Sequence, residues 1–237
     1  MKRKVAMVFG GARGIGRACV DALVEEGFDV ACTWISSPPE NIQSERVKAY
    51  QVEITDAAQV GNVFRSVEQD FGQRPQCVVA NAGINVPPEP LGTFPPDAFR
   101  RLVEVNIVGA FNVLSEAARS VQDGGSIIGV TTSMVRHAVP GGGPYTATKA
   151  AHESLLRSMS RELGARGIRV NGVAPGPVDT DLFRSGKDEA AVGRAAGMSP
   201  FGRVGRPEEV AEVVRFLASD KASWITGQIV QPNGGMV

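Results

Sequence analysis

Tyr145 and Lys149 stand four residues apart in Tyr145-Thr146-Ala147-Thr148-Lys149, a spacing that puts a phenol and an ammonium on one face of a helix. A free phenol titrates near ~10, too high for efficient proton exchange around neutrality. A positive charge beside it favours the phenolate and lowers that value. The pair therefore reads as a proton-handling unit. A second group of residues suits phosphate. Gly10-Gly11-Ala12-Arg13-Gly14-Ile15-Gly16 offers backbone amides at a helix start, and its glycines let a pyrophosphate approach the chain closely.

These residues need elements to hold them. Apolar, β-rich runs predict strands at Val5–Phe9, Val30–Trp34, Ala49–Ile54, Cys77–Ala80, Ser126–Thr131, Ile168–Val173 and Gln228–Pro232. Between them, helical periodicity predicts Ile15–Glu26, Ala57–Phe71, Asp97–Val121, Tyr145–Ala165 and Pro207–Ser219. Several strands are continuous apolar runs, as expected where both sheet faces are covered. The alternation predicts an α/β fold: a single doubly wound Rossmann-like domain over 1–237, with a mainly parallel seven-stranded sheet and helices on both faces. Ligands in such sheets sit beyond the carboxyl ends of the strands. The long polar segment Asp179–Gly205 follows one of those ends and is expected to act as a substrate lid.

The composition narrows the classes. The 237 residues are 43% hydrophobic and 21% charged, which excludes a disordered chain, a collagen-like repeat and a coiled coil. Lys+Arg and Asp+Glu both number 25, so the chain has no general attraction for nucleic acid or an anionic membrane. Cys19, Cys32 and Cys77 form no CxxC pair, and His137 and His152 are the only histidines. Neither a metal site nor a disulfide framework is expected. No apolar stretch approaches the ~20 residues that span a bilayer, and Val5–Phe9 is too short for a signal sequence. A cytoplasmic protein is expected.

The glycine loop departs from GxGxxG and resembles the TGxxxGxG signature of the short-chain dehydrogenase/reductase family. The resemblance continues along the chain: Asn81-Ala82-Gly83 is similar to the NAG motif, Asn106 stands where the family has a helix asparagine, and Tyr145 to Lys149 matches YxxxK. Asn171 to Thr180 is similar to the segment that closes over nicotinamide, and Gly205 to Gly235 to the last helix and strand. One position departs from the pattern: Phe9 stands where the family commonly has a threonine that ties down the glycine loop.

This resemblance implies hydride transfer between a nicotinamide cofactor and a carbonyl or secondary alcohol. It implies Tyr145 as general acid, with Lys149 lowering its pKa and holding the ribose hydroxyls. Asn106 would hold a water that links Lys149 to solvent. Thirteen positions before Tyr145, where the family has a serine, stands Thr132; it is the expected hydroxyl on the substrate oxygen, and a one-residue bulge would present Ser133 instead. Cofactor contacts are implied for Gly10, Arg13, Gly14, Ile15, Gly16, Thr33, Asn81, Ala82, Gly83, Pro175, Gly176, Val178 and Thr180, and for Glu53 and Ile54 at the adenine. The second strand ends in Thr33-Trp34-Ile35-Ser36-Ser37 with no carboxylate to repel a 2′-phosphate. Ser36, Ser37 and Arg13 offer donors and charge instead, which predicts NADP(H).

The expected function is NADPH-dependent reduction of a small-molecule ketone, with a 3-oxoacyl thioester among the substrates the resemblance suggests. Alternatives are an alcohol or polyol dehydrogenase working oxidatively and a non-catalytic NADP(H) sensor. The resemblance also implies a homotetramer.

Overall fold

The computed structural model describes residues 2–40 and 44–237. The first strand shows how the fold is built. β1 (Val5–Phe9) is buried along its length. Its alternate side chains feed different faces of the sheet: Val5, Met7 and Phe9 enter one core, Ala6 and Val8 the other. Only a strand covered on both sides reads as an unbroken apolar run.

The remaining elements follow in alternation: α1 (Gly14–Glu25), β2 (Asp29–Trp34), β3 (Val47–Gln51), α2 (Ala57–Phe71), β4 (Cys77–Ala80), α3 (Pro96–Val103), α4 (Ala110–Ser120), β5 (Ser126–Val130), α5 (Gly143–Glu162), β6 (Arg169–Val173), α6 (Asp181–Arg184), α7 (Glu189–Ala196), α8 (Pro207–Ala218) and β7 (Ile229–Val230). The sheet runs β3-β2-β1-β4-β5-β6-β7, and every pairing is parallel. Residues of α2, α4 and α5 supply the first core, in which the Phe9 and Phe64 rings stack at 5.7 Å. Residues of α1 and α8 supply the second. The strand order reverses between β1 and β4, so the loops that leave these two strands diverge and open a crevice.

Local chemistry sets the helix ends. The Asp56 carboxylate caps α2 by accepting from the Ala58 and Gln59 amides, and Gly72 ends it at φ 64°, a left-handed turn that suits glycine. Pro207 opens α8. Glu209 reaches back to accept from the Arg206 amide and pairs with Arg203; these partners hold its carboxyl down at about 2.

Several boundaries differ from the expected ones. The third strand covers Val47–Gln51, not Ala49–Ile54. It is an edge strand with an exposed face, and Val52 and Ile54 are buried because the chain there turns into the core. The helix expected over Asp97–Val121 contains a π-helical stretch, Glu104–Gly109, between α3 and α4. β7 stops before Pro232, which has no N–H to offer the ladder. Asp179–Gly205 includes two short helices, α6 and α7, and is closed at its base where Asp179 and Gly205 donate to the Gly205 and Pro177 carbonyls.

All three cysteines are buried and free. Burial pushes the Cys19 and Cys77 thiols up to about 12 and Cys32 up to about 11. No described helix is long and apolar enough to cross a membrane.

Candidate active site

The glycine loop leaves β1 and starts α1 at Gly14. Gly10 (φ 75°) and Gly14 (φ 54°) take left-handed conformations that favour glycine. A Cβ on Gly16 would collide with the Gly10 carbonyl oxygen, so the loop folds back on the first helical turn only if that position is bare. Neighbouring strands pin the loop. The Gly10 amide donates to Thr33 Oγ1 at 3.1 Å, and Asn81 Nδ2 donates to the Gly10 carbonyl at 3.0 Å. Thr33 thus supplies a hydroxyl tie, while Phe9 lies in the core.

A cavity of about 580 Å³ opens beside this loop at the β1–β4 reversal. Gly10, Arg13, Gly14, Ile15, Gly16, Thr33, Ser36, Ser37, Asn81, Ala82, Gly83 and Thr180 all line it. The amides at the α1 N-terminus, the bare Gly16 and the Arg13 charge fit a phosphorylated dinucleotide. Glu53, Ile54, Tyr145, Lys149, Pro175, Gly176 and Val178 lie off its lining. Ile54 packs in the core, where a Cβ on Gly109 would meet it, and Glu53 accepts from the Thr55 amide. Val178 is buried in the second core, and Gly176 packs on Asn233. Trp34, Ile35, Pro38, Glu40 and Leu182 line the cavity without having been singled out in the sequence.

Beyond Gly83 lie Asn106 and Lys149. A Cβ on Gly83 would lie 3.0 Å from Asn106 Oδ1 and 3.3 Å from Lys149 Nζ. Lys149 is buried and donates to the Val130 carbonyl at 3.0 Å. Burial lowers its pKa to about 8. Burial also raises the Tyr145 phenol to about 12, opposite to the expectation that Lys149 lowers it. The reason is desolvation: the pocket disfavours both charged forms, and the lysine ammonium is directed at a carbonyl. The phenol keeps its proton at neutrality.

Asn106 lies in the π-helical stretch, a widened turn common at functional sites. Its Oδ1 accepts from the Ile84 amide at 2.9 Å, and its Nδ2 donates to the Ile84 carbonyl at 2.9 Å and Thr148 Oγ1 at 3.1 Å. The side chain therefore ties the loop after β4 to α5. The water-holding role implied by resemblance does not fall to its amide nitrogen, which is already engaged.

Thr132 follows β5 in extended backbone. Its Oγ1 accepts from the Met134 amide at 3.3 Å, and its hydroxyl hydrogen has no acceptor among the described residues. Ser133 is fully buried; it donates to the Ala174 carbonyl at 2.6 Å and accepts from Asn233 Nδ2 at 3.0 Å. One of the two neighbouring hydroxyls is thus fully engaged and the other keeps a free donor.

A family profile described as Enoyl-(Acyl carrier protein) reductase matches residues 10–237. A short-chain type dehydrogenase/reductase of Picea abies is 37% identical, covering 99% of this chain and 92% of its own. The chain is a short-chain dehydrogenase/reductase. This short-chain dehydrogenase/reductase is also similar to the 3-oxoacyl-[acyl-carrier-protein] reductase FabG of Thermotoga maritima, at 35% identity over 100% of this chain and 99% of that one. Among solved structures it resembles a blue fluorescent protein from a metagenomic library in complex with NADPH. The TM-score is 0.89 at 32% identity, covering 99% of this chain and 98% of the other.

Proposed function

We propose that this short-chain dehydrogenase/reductase is an NADPH-dependent carbonyl reductase that converts a ketone, with 3-oxoacyl thioesters as the first class to test, into a secondary alcohol. The observation that carries this reading is the meeting of Lys149, Asn106 and Gly83 at the edge of a phosphate-binding cavity, on the helix that bears a protonated Tyr145. Bound NADPH would supply the hydride for the carbonyl carbon. The chain supplies the rest. Tyr145 gives its proton to the carbonyl oxygen as negative charge develops there. The free Thr132 hydroxyl donates a hydrogen bond to the same oxygen. The Lys149 charge offsets the phenolate left behind, and Asn106 holds the loop that carries Gly83.

The preference for NADPH rests on Arg13, Ser36 and Ser37 around the cavity end beyond β2. Thr180 lines the cavity where Asp179–Gly205 begins, which supports that segment as its lid; the contacts implied for Glu53, Ile54, Pro175, Gly176 and Val178 lie outside that lining and carry no part of the reading. A cytoplasmic homotetramer completes the reading.

The test follows NADPH absorbance against ketones and 3-oxoacyl thioesters, with Tyr145→Phe beside the wild type. Turnover lost on the order of 10²-fold or more in the variant supports the reading. Tight NADPH binding without turnover on a broad panel favours a sensor. Faster oxidation of secondary alcohols than reduction of any ketone favours the oxidative direction. Tighter binding of NADH than NADPH overturns the cofactor assignment, and Arg13→Ala is expected to weaken NADPH selectively.

A further inference from the structure

Glu153 is a fully buried carboxylate with no part in the chemistry above. It lies on α5, one helical turn past Lys149 and two past Tyr145. Its Oε1 accepts from Thr131 Oγ1 at 3.1 Å and from Arg136 Nη1 at 2.9 Å, and its Oε2 accepts from Arg136 Nη2 at 2.8 Å. Arg157 stands 3.6 Å away on the next turn. The fork from Arg136 is a bidentate pair, the geometry that fixes orientation as well as energy.

What the carboxylate grips is one short segment. Thr131 and Arg136 bracket Thr132, and between them the chain makes a tight turn in which the Arg136 and His137 amides donate to the Ser133 carbonyl. Thr131 Oγ1 also reaches the Val173 carbonyl at 3.4 Å. The segment is thereby fastened at both ends to the helix that carries the phenol. Taking the Glu153 carboxylate out of water is costly even with Arg136 reaching it from a partly exposed position, and apolar residues of similar size often stabilise a fold as well or better. Such a pair is best explained by the position it enforces.

We propose that Glu153 is a positioning residue for carbonyl reduction. Its carboxylate clamps residues 131–136 against α5 and so sets the separation between the Thr132 hydroxyl and the Tyr145 phenol. The proposal rests on the reading that these two groups act on one carbonyl oxygen.

Two measurements on the full chain test it. The first does not depend on activity: amide hydrogen exchange of Ser133, Arg136 and His137 in Glu153→Gln. Exchange at these amides is expected to rise at least about tenfold, while the Gly10–Gly16 amides keep wild-type protection. Unchanged exchange at the turn overturns the clamp. The second is a kinetic cycle with NADPH and a 3-oxobutanoyl thioester. Glu153→Gln is expected to lower kcat by on the order of tenfold to hundredfold with NADPH affinity unchanged. In a Thr132→Ala background the same substitution is expected to cost less than about twofold, because it acts through the missing hydroxyl. Losses that multiply overturn the positioning role, even if the turn has loosened. Should Glu153→Gln fail to fold, Arg136→Lys keeps the charge, removes the fork and faces the same two criteria. A wild type that binds NADPH without oxidising it counts against the function, and the exchange result stands apart from that outcome.

Discussion

Two residues near the site lend themselves to single substitutions. Gly83 leaves space that Lys149 and Asn106 both use, with Nζ and Oδ1 3.3 and 3.0 Å from where a Cβ would stand. Gly83→Ala is expected to push these groups apart and lower kcat on the order of tenfold, with weaker NADPH binding in fluorescence titration because Gly83 lines the cavity. His152 is buried three residues past Lys149, and its Nε2 has no hydrogen-bond partner among the described residues. Burial, with the Lys149 charge added, lowers its pKa to about 3. The folded form therefore refuses a proton that the unfolded chain accepts near ~6.5. Stability from this group is complete above that value and is lost as pH falls toward 3, by about 2 kcal/mol between pH 6.5 and 5. Urea midpoints at pH 7 and pH 5 check this. Wild type should lose stability on acidification, and His152→Leu should show a shallower loss.

At the scale of elements, the glycine loop works because α1 begins in contact with its own entry strand. Gly16→Ala places a methyl against the Gly10 carbonyl oxygen. It is expected to lower stability by about 1–3 kcal/mol and to weaken NADPH binding sharply, both readable from thermal melts with and without cofactor. Elements with strong periodicity were legible in the sequence: α2 matches its expected span, Ala57–Phe71, and so do β1 and β4. The π-helical stretch was not, because one extra residue in a turn barely disturbs a 3.6-residue pattern. The edge strand β3 was misread by two to three residues, since buried Val52 and Ile54 resemble strand positions even where the chain has left the sheet. Within the site, a short motif carries its own spacing: residues of Gly10 to Gly16 line the cavity together, and Lys149 meets Asn106 beside Gly83. Contacts between distant segments were beyond reach: nothing in the spacing of Arg136 and Glu153 announces a bidentate pair, and Glu40 reaches the cavity only through the path of its loop.

For the whole molecule, the apolar side chains that the fold leaves open are informative. Phe99, Val108 and Phe111 along the α3–α4 run are 42%, 37% and 52% exposed, and Trp224 before β7 is 98% exposed. The homotetramer proposed above would cover such surfaces. Phe111→Glu is expected to lower the assembly size in sedimentation at micromolar concentration without loss of folding, and a monomeric wild type would remove the basis for the assembly. The thiols of Cys19, Cys32 and Cys77 offer a last consequence. Cys32 and Cys77 on the sheet and Cys19 on α1 share the core that α1 and α8 cover, and all are protonated at neutrality. A maleimide can label them only after that half of the protein opens, so alkylation by mass spectrometry becomes a clock for its breathing. A dinucleotide gripped at the start of α1 should slow that clock in proportion to its occupancy.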